Sequence, residues 1–283
     1  MSTDLEAIPV KNMPDMYNAT VIDRQFLTPL LLILQVMPDQ SAASFSPGQY
    51  TVLGLRRSEP RVPEADPEEG ILEKPDKLIR RAYSISSSNQ NLEYLEFYIS
   101  MVAGGELTPR LFYLKPGDRL FVGTGSKGIF TLDQVPAGQN ILLVGTGTGL
   151  APYMSMIRSM AWALDSLEIS LAVLHGAGYS WDLGYRGELE SLAQRCNKFR
   201  YLPTILDTKT DRDWQGRTGL LQKWLAMPDF GEICGMPIDP RHTHIFVCGN
   251  PVMIESVLEI LTPMGYSPGN RREAGTLHLE KYW

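Results

Sequence analysis

The chain has 283 residues, 43% hydrophobic and 20% charged, enough for two domains each burying a core. A formal net charge of −6 argues against a general nucleic-acid binder, which would be basic. Cys196, Cys234 and Cys248 lie far apart with no CxxC pair, so they supply neither an iron–sulfur cluster nor a structural zinc site, and no metal centre is expected.

Met1 to Val10 carries Asp4 and Glu6 and no apolar stretch, so no secretory signal is expected. The sparse cysteines fit a reducing cytoplasm. The longest apolar run, Leu30 to Val36, is too short to cross a bilayer. The sequence therefore reads as a cytoplasmic protein that engages neither membrane nor nucleic acid.

Tyr17–Asp23, Leu30–Met37 and Thr51–Leu55 read as strands, with prolines and Ser46-Pro47-Gly48 as punctuation. Residues 56–80 are acidic and proline-bearing, cannot bury a core of their own, and read as a surface loop or insertion. Arg81 to Ser88 follows as a strand, with Arg81, Tyr83 and Ile85 alternating against Ala82, Ser84 and Ser86. A phenol and a guanidinium two residues apart on one face suit a ligand that is flat and anionic. Leu92–Val102 is a further strand, and many short strands joined by turns imply an antiparallel barrel or sandwich. Gly104-Gly105-Glu106-Leu107-Thr108-Pro109 reads as a helix start, with Thr108 as N-cap and Pro109 in the first turn. Such an end presents free N–H groups to an anion.

From Asn140 the pattern changes to a parallel α/β one. Ile141-Leu142-Leu143-Val144 is a continuous apolar run, as in a strand buried on both faces. It enters Gly145-Thr146-Gly147-Thr148-Gly149-Leu150-Ala151-Pro152 and a helical stretch, Tyr153–Ala163. Strand, glycine loop and helix in that order form a nucleotide phosphate cradle. Further strands are expected at Glu168–Leu174, Phe199–Leu206 and His244–Cys248, with helices at 187–196 and 218–226. The spacing is G-x-G-x-G rather than G-x-G-x-x-G, and the second strand ends in His175-Gly176 where a ribose-binding carboxylate would stand.

In this order, Arg81-Ala82-Tyr83-Ser84, Gly105 to Leu111, Gly145 to Pro152, Cys248-Gly249-Asn250-Pro251 and Glu280 to Trp283 resemble the motifs of the ferredoxin–NADP reductase family, particularly its bacterial branch. The resemblance implies an antiparallel β-barrel FAD-binding domain over 1–137, carrying the 56–80 insertion. An α/β parallel-sheet nicotinamide-nucleotide domain then covers 138–283, with its C-terminal tail over the cofactor site. It implies FAD and NADP(H) or NAD(H) as cofactors, hydride transfer between nicotinamide and flavin, and single-electron exchange with a separate ferredoxin or flavodoxin. An NADH-dependent reductase component of an oxygenase or other multi-component electron-transfer system is the alternative in the same fold.

Carried over by position, Tyr83 would stack on the flavin ring and Ser84 would bond near its reactive nitrogen. Arg81, Ala82, Gly105, Leu107 and Thr108 would surround the pyrophosphate, and Tyr98 and Ile99 would line the adenosine side. Gly145, Thr146, Gly147, Thr148 and Gly149, with Gly249, Asn250 and Pro251, would hold the nicotinamide nucleotide. Cys248 and Glu280 would border its reacting ring, and Trp283 would cover either the flavin or a folded-back adenine. Asp207, after the third strand, suits a free ribose 2′-hydroxyl, whereas Arg217 suits a 2′-phosphate, so both coenzymes remain in view. Arg56, Arg57, Arg61, Arg80 and the Arg271-Arg272 pair are expected as a docking patch for an acidic carrier.

Overall fold

In the computed structural model, residues 16–68, 75–166, 168–269 and 275–281 are described. Six antiparallel strands form the first sheet: β1 Ala19–Thr28, β2 Leu31–Pro38, β3 Tyr50–Arg56, β4 Leu78–Ser84, β5 Leu95–Ser100 and β6 Arg119–Val122. Their order is β4-β3-β6-β1-β2-β5, and an antiparallel bridge between Ile85 and Phe97 joins the two edges into a barrel. Its core is aliphatic and aromatic, with Leu32, Leu34, Leu53, Leu55, Ile85, Phe97 and Leu120 all fully buried.

A short helix, α1 Thr108–Tyr113, plugs one end of the barrel through Leu111 and Phe112. Thr108 is not its cap. Leu107 takes that position without a side-chain bond, and Thr108 Oγ1 instead binds the backbone N–H and C=O of Val102, both at 3.1 Å. The hydroxyl thereby closes the turn that precedes the helix.

The second sheet is parallel, with β7 Asn140–Thr146, β8 Leu171–Ala177, β9 Phe199–Ile205, β10 Arg217–Thr218, β11 Thr243–Gly249 and β12 Leu277–Lys281 in the order β10-β9-β8-β7-β11-β12. The strands β7, β8 and β11 are buried almost throughout, as their unbroken apolar runs require. Five helices cover the sheet: α2 Leu150–Met160, α3 Arg186–Arg195, α4 Leu221–Leu225, α5 Phe230–Cys234 and α6 Pro251–Leu261. Helix α2 starts three residues earlier than its sequence suggests, because Gly147–Gly149 coil into a 3-10 turn that leads directly into it.

The two halves are not separate bodies. Leu31, Ile33, Tyr98 and Phe130 from the first half share one buried cluster with Leu143, Leu150, Tyr153, Phe246 and Cys248 from the second. Phe130 packs edge-on against Phe246 with centroids 5.3 Å apart. The described part of the long loop after β3 also lies against the barrel: Val62 N–H donates to Pro109 O and Asp66 N–H to Ala103 O.

Candidate active site

The functional motifs converge where the carboxyl ends of β7 and β11 meet β4, which is where open α/β sheets bind ligands. At the end of β7, Gly149 comes so close to β11 that an added Cβ would stand 2.4 Å from the Cys248 carbonyl oxygen. Gly249 has φ +143°, and a Cβ there would meet Thr146 Oγ1 at 2.5 Å. Both positions therefore require glycine. Tyr153, fully buried on α2, directs its hydroxyl at Val144 O (2.9 Å) and Phe246 O (3.0 Å), which ties the helix start to both strands. Asn250 caps α6 by accepting from Val252 N–H at 2.8 Å, and Pro251 occupies the first turn. The Cys-Gly-Asn-Pro segment is thus a strand end, a positive-φ turn and a helix cap in succession.

On β4, Ile79 enters the barrel core, as does Ile85 just past the strand, and Tyr83 packs partly against it, while Ser84 faces the other way. Ser84 Oγ lies 3.5 Å from Glu280 Oε2, and Cys248 Sγ lies 3.6 Å from the same oxygen. These contacts are long, so proximity rather than strong bonding brings the three side chains together. Burial pushes the Glu280 carboxyl up to about 7, against the opposing pull of Cys248 and Ser84.

A cleft of about 560 Å³ runs from this cluster along the barrel. Tyr50, Arg81, Ala82, Tyr83 and Ser84 line one wall, and Gly105, Glu106, Leu107 and Thr108 line the other. Tyr98, Ile99, Ser100, Val102, Thr148, Ala151, Glu280 and Lys281 complete the lining. Arg81 donates to Glu106 at 2.8 Å, so an anion entering the cleft competes with a carboxylate for this guanidinium. Tyr98 is 3% exposed and packs edge-on against Tyr185 at 5.2 Å, so it offers a ligand little surface.

Two expected nucleotide contacts lie at the far ends of β9 and β10. Asp207 is exposed, and its Oδ1 accepts from Lys209 N–H at 2.9 Å in an Asx turn. Arg217 is half-buried over the Trp224 ring at 5.4 Å, and burial lowers its pKa. Among the described residues Arg217 forms no ion pair. Trp283, Arg271 and Arg272 lie outside the described residues.

Most of the remaining docking arginines have internal work. Arg57 faces Glu106 (3.9 Å), Arg61 donates to Ala103 O (3.2 Å) and Gly105 O (3.3 Å), Arg56 covers the Tyr17 ring, and Arg80 lies exposed over Phe121.

Sequence reasoning did not find a polar network buried in the seam between the halves. Glu96 on β5 is 4% exposed and accepts from Arg158 (2.7 Å), Tyr185 (2.7 Å), Gln35 (2.9 Å) and Ser86 (3.1 Å). Burial pushes this carboxyl up, but Arg158 and the other donors outweigh it and hold it below the usual range. Glu96 stood in plain view as the charged residue inside an apolar strand, a signal that a partner must exist.

Residues 71–132 match the family model described as an oxidoreductase FAD-binding domain, and 143–259 match an oxidoreductase NAD-binding domain. The flavodoxin/ferredoxin–NADP reductase of Escherichia coli (strain K12) is 32% identical over 210 residues, 74% of this chain and 76% of that protein. The chain belongs to the ferredoxin/flavodoxin–NADP reductase family. The ferredoxin–NADP reductase of Azotobacter vinelandii, another relative, is 33% identical over 247 residues, 84% of this chain and 86% of its own length. A ferredoxin NADP+ reductase from Neisseria gonorrhoeae, solved with bound FAD and NADP, superposes with a TM-score of 0.76 over 94% of this chain and 98% of that one, at 21% identity. The two-domain fold expected from the motifs is therefore the fold of this family. Among the described residues, no helix is long and apolar enough to cross a membrane, and no cluster of three or more metal-ligating side chains occurs.

Proposed function

We propose that the protein is an FAD-dependent reductase moving electrons between NADP(H) and a ferredoxin or flavodoxin. The observation that carries this reading is the meeting of Ser84 with Cys248 and Glu280 at the mouth of the cleft, because it joins the flavin motif of one half to the nucleotide motif of the other. The cleft fits the cofactor. Its volume is within the range of small-molecule sites, about 300–1,000 Å³, and it pairs an aromatic wall at Tyr83 with backbone N–H groups near Leu107 and Thr108. Bound flavin supplies the ability to accept a hydride and to release electrons one at a time.

The chain's own residues bind, orient and exclude water. Tyr83 would present its ring to the flavin and Ile99 apolar surface to the adenosine side, and Arg81 would offer its guanidinium to the pyrophosphate in exchange for Glu106. Gly149 and Gly249 bring the nucleotide loop against the end of β11, where Cys248 would border a bound nicotinamide. Burial raises the Glu280 carboxyl to about 7, and Ser84 Oγ donates towards it at 3.5 Å, which places a titratable proton beside the flavin strand. Holding the reacting groups in one geometry converts a bimolecular encounter into an intramolecular step. Arg217, a half-buried cation with no acidic partner among the described residues, supports a 2′-phosphate and hence NADP(H) over NAD(H). We place the boundary between the two domains at residues 137/138 and the protein in the cytoplasm, where its three cysteines stay reduced.

The test is anaerobic stopped-flow reduction of the FAD-loaded protein by NADPH and by NADH, followed at the oxidised flavin band. Faster reduction by NADPH, followed by electron delivery to a ferredoxin or flavodoxin, is the expected result. Reduction by neither coenzyme would overturn the hydride-transfer reading.

A further inference from the structure

The Arg158 side chain occupies the seam between the two halves and uses four of its five N–H groups there. One terminal nitrogen donates to Glu96 Oε1 (2.7 Å) and to Ser86 O (3.0 Å), and Nε and the other terminal nitrogen bind both Glu188 oxygens (2.7 and 2.6 Å). Its guanidinium also covers the Tyr185 ring at 5.0 Å, and the Tyr185 hydroxyl returns to Glu96 at 2.7 Å and to Ser86 Oγ at 3.1 Å. Tyr185 has φ 58°, the one non-glycine with positive φ among the described residues. Strained backbone of that kind persists where its surroundings over-determine it.

Adhesion alone does not call for this network. The seam is already apolar, with Leu31, Ile33, Tyr98 and Phe130 set against Leu150, Tyr153 and Phe246. Replacing a buried ion pair by apolar side chains of similar volume is often neutral or stabilising, so such a pair is weak evidence for stability. A bidentate guanidinium adds direction, because its planar fork accepts carboxylates in only a few orientations.

The position of the fork matters more than its strength. Arg158 lies eight residues beyond Leu150, about 12 Å down the rigid axis of α2 from the nucleotide loop. Ser86, whose carbonyl it holds, lies two residues beyond Ser84, where the flavin strand ends. We propose that the Glu96–Arg158–Glu188 latch is a positioning device that holds the nucleotide loop and the flavin strand in one register, so that the nicotinamide reaches the flavin at reacting distance. The inference rests on the hydride-transfer function proposed above. A displacement of about 1 Å between reacting groups costs on the order of a hundred-fold in rate, far more than it costs either ligand in affinity.

The test compares the wild-type protein with Arg158→Lys, which keeps the charge and loses the fork. Hydrogen exchange on the protein as purified should speed up together in residues 84–88 and 146–151, while the thermal midpoint moves little. With FAD loaded, the NADPH dissociation constant should stay within about two-fold, while the hydride-transfer rate at saturating NADPH falls about ten-fold or more. An unchanged rate, a rate that falls only in step with affinity or FAD content, or exchange that rises in one segment alone would each overturn the latch. If wild type is reduced by neither coenzyme, the functional reading fails, and the exchange arm still judges the latch. Should Arg158→Lys fail to fold, Glu188→Gln loosens only the half-exposed end of the network. It should give the same coupled rise in exchange, and its absence would overturn the proposal.

Discussion

Cys248 and Glu280 are register partners on the adjacent parallel strands β11 and β12, and the thiol sits 3.6 Å from the carboxyl group. The strand pairing thus delivers an acid to a buried position beside Ser84, where burial pushes its pKa up from 4.5 to about 7. Because the folded value is the higher one, the neutral acid is the form the fold favours. The associated stability is intact at low pH and is lost as pH rises from the unfolded value towards 7, leaving a penalty on the order of 3 kcal/mol above that. Glu280→Gln keeps the shape without the charge. With FAD loading matched, urea midpoints should differ little between wild type and variant near pH 5, and the variant should be the more stable near pH 8. Parallel pH profiles for the two proteins would contradict the buried-acid account.

Contiguous motifs were the legible part of this chain. Arg81–Ser84, Gly145–Pro152 and Cys248–Pro251 act through their own local backbone, so their order along the sequence was enough to expect the two halves that meet at the candidate cleft. The register of β12 was not legible, because a five-residue alternating strand says which face is buried and not which strand it pairs with. The same limit hid the Glu96–Arg158 pair, whose members lie 62 residues apart on different elements. The stretch over 56–80, expected as one polar loop, is shorter in the structure, because Arg56 ends β3 and Leu78 to Arg80 open β4, with Ile79 in the barrel core. Its polar composition concealed that residues 57–68 bury a charge.

That buried charge is Arg110 on α1, 2% exposed, which donates to the carbonyls of Glu59 and Glu106 and to both oxygens of Glu68 at 3.1 and 2.7 Å. Hydrogen bonding from Arg110 holds the Glu68 carboxyl below its usual range despite some burial. Here the folded pKa is the lower one, so the contribution is present above the ordinary glutamate value and is lost as pH falls through the folded one. Glu68→Gln should cost about 1–3 kcal/mol near neutral pH, since Arg110 loses an ionised partner but keeps its backbone acceptors. The deficit should shrink in acid, where wild type loses the same interaction. Chemical denaturation at neutral and acidic pH reads both effects, and a deficit that grows in acid would contradict the pairing.

Gly149→Ala tests the close approach of the nucleotide loop to β11. The new Cβ would meet only backbone, the Cys248 carbonyl oxygen at 2.4 Å and carbon at 2.8 Å, so no rotamer change relieves it. Overpacking of this kind costs about 1–3 kcal/mol. Because the displaced atoms lie beside the nucleotide site, NADPH affinity should fall more than FAD affinity does. Urea unfolding and separate titrations of the two ligands would show this, and equal losses for both ligands would place the strain elsewhere.

Arg217 and Asp207 make opposite demands on the coenzyme, and their surroundings decide between them. Asp207 already spends one carboxylate oxygen on the Lys209 amide in its own turn. Arg217 is partly desolvated over Trp224 and forms no ion pair among the described residues, so a phosphate monoester would gain a charge-assisted bond there without displacing an acid. Arg217→Ala should therefore weaken NADPH binding by about ten-fold or more, equivalent to roughly 1.5–3 kcal/mol for a hydrogen bond to a charged group, and leave NADH binding almost unchanged. Asp207→Ala should alter NADPH binding little, or improve it slightly by removing a like charge. Dissociation constants for both coenzymes with the three proteins would test the assignment. A larger loss for NADH than for NADPH in Asp207→Ala, with NADPH binding unchanged in Arg217→Ala, would transfer the coenzyme-reading role to Asp207.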